Sequence, residues 1–67
     1  MSLPQEPREP LLVALRAVDP AAWRREVAAV LLAQGEVPAA ARALGVARAT
    51  LERWIAEEPA LQAALAG

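Results

Sequence analysis

The chain has 67 residues, a formal net charge of −1 and a hydrophobic fraction of 57%, much of it alanine. A chain this short forms one domain at most, and its small core gives only marginal stability unless cross-links or a partner subunit add to it. Cysteine and histidine are both absent, which excludes disulfides and the usual zinc sites. We therefore expect neither a metal ion nor a cofactor.

The side-chain inventory also argues against an enzyme. Lysine, tyrosine and asparagine are absent too, and the only hydroxyl side chains are Ser2 and Thr50. Nucleophilic catalysis needs a nucleophile beside a base, and no carboxylate is spaced to serve either hydroxyl. Glu57 and Glu58 are neighbours that would not face each other on a helix, so we interpret them as a solvated acidic helix end. We expect no small-molecule substrate.

No apolar segment is long enough to span a bilayer. The longest apolar run, 27–33, has seven residues and is more simply a buried helix segment. The first residues also lack the basic start and apolar stretch of a signal peptide. These features predict a cytoplasmic protein without a membrane partner.

The N-terminal part is predicted to be an arm followed by a short helix. Residues 1–9 hold two prolines, two glutamates and little to bury, which is typical of a flexible arm. Pro10 suits the first position of a helix, and this helix is expected to end at Asp19-Pro20. Its apolar residues recur at helical spacing at Leu11, Leu12, Leu15 and Val18.

A second helix is predicted to run from Pro20 to Gln34. Asp19 is a suitable N-cap, and Gly35 is well placed as a left-handed C-terminal cap. Its main apolar stripe comprises Trp23, Val27, Val30 and Leu31. A second set of apolar residues lies off that stripe, at Ala28, Ala29 and Leu32.

Two apolar faces on one helix are more than a monomer of 67 residues easily covers. We therefore expect the two helices of segment 10–34 to support the fold and to form a homodimer. The alternative is that both faces contact the chain's own helices. The candidate interface residues are Leu11, Leu15, Trp23, Val27, Leu31 and Leu32.

The segment 36–57 has the spacing of a helix-turn-helix, with a helix from Pro38 to Leu44 and another from about Ala47 to Glu57. Gly45 tolerates positive φ at the turn. Small residues stand where the helices would approach, and apolar residues stand at inward positions. These are Ala40, Ala41, Leu44, Val46, Leu51, Trp54 and Ile55.

The segment 58–67 is predicted to form a short C-terminal helix, which Glu58-Pro59 separates from the preceding one. Its apolar edge comprises Leu61, Ala64 and Leu65. The predicted fold class is therefore all-α. It is a small helical bundle containing a helix-turn-helix, arranged as an intertwined or side-by-side homodimer.

The segment 35–55, GEVPAAARALGVARATLERWI, resembles the helix-turn-helix of the Fis family, shared with the C-terminal domains of NtrC-type activators. That family has the approximate pattern G-N-x-x-x-A-A-x-x-L-G-I-S-R-x-T-L. The matching positions are Gly35, Ala40, Ala41, Leu44, Gly45, Arg48, Thr50 and Leu51, with Val46 in place of isoleucine. The departures are Glu36 for asparagine, Pro38 for a polar residue, Ala47 for a capping serine or asparagine, and Glu52 for a basic or aromatic residue.

The Fis resemblance implies a dimer that regulates transcription or organises the nucleoid, with recognition helices (about 47–57) in adjacent major grooves of double-stranded DNA. It implies that Arg48 pairs with guanine or phosphate and that Thr50 contacts phosphate. Arg53 faces the same way as Arg48, and Arg42 is a candidate phosphate clamp. The candidate DNA-binding residues are Arg42, Arg48, Ala49, Thr50 and Arg53.

Other interpretations stay open. Trp54 and the later segment EEPALQAAL (57–65) are similar to the recognition-helix exit of phage-type helix-turn-helix proteins, including terminase small subunits, which implies a DNA-packaging recognition domain. Arg48 and Arg53 are alternatively a solvated helix face, paired with Glu52 and Glu57. The net negative charge favours a third interpretation, a helical oligomerisation or protein-docking module that binds no DNA.

Overall fold

The computed structural model describes residues 8–66, and within this range the chain forms five α-helices and no strand. No helix within this part is long and apolar enough to cross a membrane. The predicted all-α class is confirmed, whereas the homodimer stays a prediction. In chain order the helices are α1 (Glu9–Val18), α2 (Pro20–Gln34), α3 (Val37–Leu44), α4 (Arg48–Glu57) and α5 (Pro59–Ala66).

Local capping signals set several helix ends as predicted. Asp19 Oδ1 accepts a hydrogen bond from the Ala22 backbone N–H at 3.1 Å and caps the start of α2. Gly35 ends α2 at φ +75° and Gly45 ends α3 at φ +71°. Both angles are in the left-handed region, which glycine adopts without the steric cost that a Cβ atom adds.

Two helices begin one residue earlier than predicted. α1 begins at Glu9 instead of Pro10, and α3 begins at Val37 instead of Pro38. Both prolines still lie in the first helical turn, where a missing backbone N–H leaves no hydrogen bond unmade. The proline therefore marks the first turn of each helix but not its first residue.

α2 is the central helix, and it packs against α1, α3 and α5. The rings of Trp23 and Trp54 meet edge to face at the centre, with centroids 5.3 Å apart and planes at 86°. Pairs of this geometry contribute about 0.5–1.5 kcal/mol beyond the burial of their area. The buried core residues are Trp23, Val27, Leu31, Ala40, Ala41, Leu44, Leu51, Trp54 and Leu61.

Half of the predicted dimer-interface residues belong to this core. Trp23, Val27 and Leu31 have no exposed surface in the single chain. Because a fully covered side chain offers nothing to a partner, their assignment to a dimer interface is corrected: the main stripe of α2 packs against the chain's own helices. The other three candidates are Leu15, which is partly buried, and Leu11 and Leu32, which are 72% and 63% exposed.

The predicted N-terminal arm, 1–9, is also corrected at its last two residues. Arg8 is the N-cap of α1 and Glu9 is the first residue of that helix. The Arg8 backbone N–H donates to the Gly45 carbonyl oxygen at 3.2 Å, so this end of α1 is held against the turn after α3. The rest of the predicted arm, 1–7, lies outside the described residues.

Candidate nucleic-acid interface

α3 and α4 form a packed pair joined by a short turn at Gly45. The Gly45 backbone N–H donates to the Arg42 carbonyl oxygen at 3.2 Å, and the Val46 N–H donates to that of Ala41 at 3.0 Å. These two bonds satisfy carbonyl groups that the end of a helix otherwise leaves without partners. The turn is therefore fixed by its own backbone, and it sets how α4 follows α3.

The inner side of α4 packs against the core. Leu51 and Trp54 are buried, and Ile55 is partly buried and packs beside them. At the end of α3 and in the turn, Leu44 is buried and Val46 is partly buried. The inward positions predicted for this segment are confirmed.

The opposite side of α4 is exposed along the whole helix. We call this surface the outer face of α4, and it comprises Arg48, Ala49, Glu52, Arg53 and Ala56. Glu57, the last residue of α4, is exposed as well but lies at the C-terminal end of the helix. Three of the predicted DNA-binding residues, Arg48, Ala49 and Arg53, therefore share one surface. Arg42 is exposed on the last turn of α3, whereas Thr50 is partly buried and set back from the outer face.

One ion pair lies on the outer face of α4. Arg48 Nε is 2.7 Å from Glu52 Oε1, one helical turn away, and the two side chains are 67% and 52% exposed. An exposed pair at this spacing stabilises a helix by only about 0.3–0.5 kcal/mol. The sequence analysis offered this pairing of Arg48 with Glu52 as an alternative. The ion pair is too weak to prevent Arg48 from binding another anion.

α1 supplies a cap to α4, which sequence reasoning missed. Ala47, the N-cap of α4, has no side chain that accepts a hydrogen bond. Glu9 Oε1 instead accepts from the Ala47 backbone N–H at 3.2 Å. A carboxylate at the positive end of a helix dipole is stabilising, and Glu9 makes the bond to the N-cap N–H that the glutamate of a capping box makes.

α1 also binds the opposite end of α4 through Arg16. Its two terminal nitrogens donate to Glu57 Oε1 at 3.2 Å and Glu58 Oε1 at 3.1 Å. Its guanidinium carbon lies 4.6 Å from the centroid of the Trp23 ring. Acidic residues at the negative end of a helix are unfavourable alone, and Arg16 offsets them. Glu57 is exposed, as the interpretation of a solvated acidic end predicts, and Glu58 is partly buried; what that interpretation missed is that both pair with Arg16.

The side of α1 turned to solvent is apolar. Glu9 and Arg16 are the only charged residues of this helix, and both point toward the ends of α4. We call the remaining exposed surface the outer face of α1. It comprises Pro10, Leu11, Val13, Ala14, Ala17 and Val18, of which Leu11, Val13 and Val18 are 72%, 52% and 84% exposed.

In comparisons with protein-family models, with curated proteins and with solved structures, no match to this chain was found. The resemblances to the Fis family and to phage-type helix-turn-helix proteins therefore stay predictions, based on the residues quoted for them.

Proposed function

We propose that α3, the turn at Gly45 and α4 act as a helix-turn-helix that binds double-stranded DNA. The supporting observation is the outer face of α4, where two of the five residues are arginines and none has a large apolar side chain. The major groove is about 12 Å wide and admits one helix. Ala49 and Ala56 are small, so they allow the backbone of α4 to approach the bases closely.

The charges along α4 favour insertion by its N-terminal end. Arg42 and Arg48 lie at that end, one on each side of the turn. Glu57 and Glu58 lie at the other end, where Arg16 binds them. Because DNA phosphates attract arginine and repel carboxylates, the N-terminal end of α4 is better suited to the groove than the end that carries Glu57 and Glu58.

Arg48 and Arg53 are assigned the contacts that hold the DNA. A guanidinium binds the O6 and N7 atoms of guanine or a phosphate oxygen with two hydrogen bonds. Arg48 exchanges its weak pairing with Glu52 for such a contact. Arg42 adds a phosphate contact from α3, while Thr50, being partly buried, has a lesser part than the Fis resemblance implies.

The same proposal includes a homodimer in the cytoplasm, with a role in transcription regulation or nucleoid organisation. A dimer presents two recognition helices and so doubles the number of phosphate contacts. The surface available for a second copy is the outer face of α1, which includes Leu11, together with Leu32 on α2. Exposed apolar side chains of this size lose unfavourable hydration when a partner covers them.

A second candidate function is protein docking without DNA binding. Its supporting observation is the apolar outer face of α1, together with a net charge of −1. On this alternative, the arginines of α4 are a solvated helix face. The two candidates predict opposite results for a DNA titration of the same protein.

The direct test is fluorescence anisotropy of a labelled DNA duplex at low and moderate salt. We expect binding at low salt with a slope of log K against log[salt] near −4.5, which corresponds to roughly five phosphate contacts per dimer. Arg48→Ala combined with Arg53→Ala should remove most of the affinity and flatten the slope. The matched control, Arg24→Ala combined with Arg25→Ala on α2, removes the same charge and should bind almost as the unaltered chain does.

Two results would overturn the proposal. The first is no binding at low salt, which favours the docking function. The second is equal binding before and after the Arg48 and Arg53 substitutions. Circular dichroism of each variant confirms that it is folded, which is expected because Arg25, Arg48 and Arg53 are exposed and Arg24 is only partly buried.

A further inference from the structure

The first turn of α1 lies directly against the turn between α3 and α4. Two hydrogen bonds join them: Arg8 N–H to the Gly45 oxygen, and Ala47 N–H to Glu9 Oε1, each 3.2 Å long. The approach is close, because a Cβ atom added to Gly45 would lie 3.3 Å from both Cβ and Cγ of Arg8. Arg8 is thus fixed beside the candidate interface, although the sequence analysis placed it in a flexible arm.

This contact brings a third arginine to the N-terminal end of α4. Arg42 adjoins the same turn through its carbonyl group, which accepts from Gly45 N–H at 3.2 Å, and Arg48 is the first residue of α4. Arg8, Arg42 and Arg48 are all exposed. Glu9, the acidic neighbour of Arg8, directs a carboxylate oxygen to the Ala47 N–H at the start of α4.

We infer that Arg8 is a phosphate-binding residue of the same DNA surface, and that it contacts the sugar-phosphate backbone at the N-terminal end of α4. This inference rests on the proposed function. A helix of 10 residues is about 15 Å long, slightly more than the width of the major groove, so its end lies near the phosphates that border the groove. An arginine beside that end is within reach of them.

Arg8 is assigned a contact that positions the protein on the DNA but does not distinguish one base sequence from another. A phosphate contact fixes the protein on the duplex but carries no direct information about the bases. Removal of Arg8 should therefore weaken binding to any duplex to a similar extent. It should also reduce the magnitude of the salt slope by about 0.9 for each copy of the chain in the complex.

The test compares Arg8→Gln with Arg25→Gln, an equal loss of charge from an exposed position on α2. Anisotropy titrations at several salt concentrations, with two duplexes of unrelated sequence, give the affinity and the slope. We expect Arg8→Gln to lower the affinity for both duplexes several-fold and to flatten the slope. Arg25→Gln should leave both nearly unchanged, and Arg8→Lys, which keeps the charge, should restore the slope.

Failure of this inference is distinguishable from failure of the proposed function. If the unaltered chain binds no DNA at low salt, the proposed function is overturned, and the role of Arg8 with it. If the unaltered chain binds DNA but Arg8→Gln has the same salt slope as the unaltered chain or as Arg25→Gln, only the role of Arg8 is overturned. A loss confined to one duplex would also contradict a contact to the backbone.

Discussion

The outer faces of α1 and α4 are both exposed, yet they differ completely in charge. The outer face of α4 carries two arginines and one glutamate, whereas the outer face of α1 carries no charge. α1 does contain charged residues, but Glu9 and Arg16 point toward the two ends of α4. The charges of α1 therefore hold α4 in place, and the molecule has one exposed surface with arginines and another that is apolar.

The largest effect is expected from charges placed on the outer face of α1. Leu11→Glu combined with Val18→Glu should weaken the proposed dimer at least about 100-fold, which corresponds to about 2.7 kcal/mol. Burying two carboxylates against an apolar partner costs more than the lost apolar contact alone. Sedimentation equilibrium at micromolar concentration measures the change.

The matched control for this pair places the same charges elsewhere. Ala21→Glu combined with Ala63→Glu adds two glutamates at exposed positions of α2 and α5, and it should leave the dimer intact. Equal dissociation of both variants would indicate a general charge effect. A monomeric unaltered chain would contradict the dimer itself.

The next largest effect is a loss of stability, which we compare at two glycines with similar backbone angles. Gly35 has φ +75° and nothing within 4 Å of an added Cβ, whereas Gly45 has φ +71° and would meet Arg8 at 3.3 Å. Gly35→Ala should lower the free energy of unfolding by about 1 kcal/mol, the usual cost of left-handed backbone with a Cβ. Gly45→Ala should lower the free energy of unfolding by about 2 kcal/mol, because the added Cβ also crowds Arg8. Equal losses in urea denaturation would mean that α1 does not dock on the turn.

The loss of stability expected from Arg16→Ala is smaller than that from Gly45→Ala. It removes two ion pairs with the end of α4 and a contact with the Trp23 ring, together about 1 kcal/mol, or a fall in Tm of about 4–8 °C. Arg25→Ala on the exposed side of α2 should change Tm by less than half as much. Thermal melts at low salt separate the two variants. If Arg25→Ala costs as much as Arg16→Ala, the contacts of Arg16 add no stability.

The smallest effect concerns the single acidic residue on the outer face of α4. Glu52→Gln should raise the affinity for DNA a few-fold, because it removes a charge that repels phosphate and releases Arg48 from its ion pair. Glu26→Gln on α2 makes the same change in net charge and should raise the affinity less. Equal gains in anisotropy titrations would show that net charge decides the affinity and position does not.

The parts of the fold that short-range signals determine could be predicted from the sequence. Asp19 with Pro20, Gly35 and Gly45 mark helix ends through bonds and backbone angles within a few residues, and the structure has those ends. The inward positions of α4 follow from helical periodicity alone. On the candidate interface, the same periodicity placed Arg48, Ala49 and Arg53 on one surface.

The predictions that were wrong concern contacts between residues far apart in the chain. Glu9 caps Ala47 across 38 positions, and no local pattern in 1–9 indicates that bond. Periodicity also shows that Trp23 and Leu31 share an apolar face but not which helix covers that face. The assignment of Trp23, Val27 and Leu31 to a dimer interface was therefore wrong, because the chain's own helices, α1, α3 and α5 among them, pack against α2 and leave these side chains buried.

The most direct test of DNA binding by α4 is an NMR titration of the 15N-labelled chain with a DNA duplex at low salt. We expect the largest amide shift changes at Arg48, Ala49 and Arg53, with smaller ones at Arg8 beside the turn, and almost none on the outer face of α1. Shift changes that are absent, or that concentrate on the outer face of α1 and spare α4, would contradict the proposal that α4 is the DNA-binding helix.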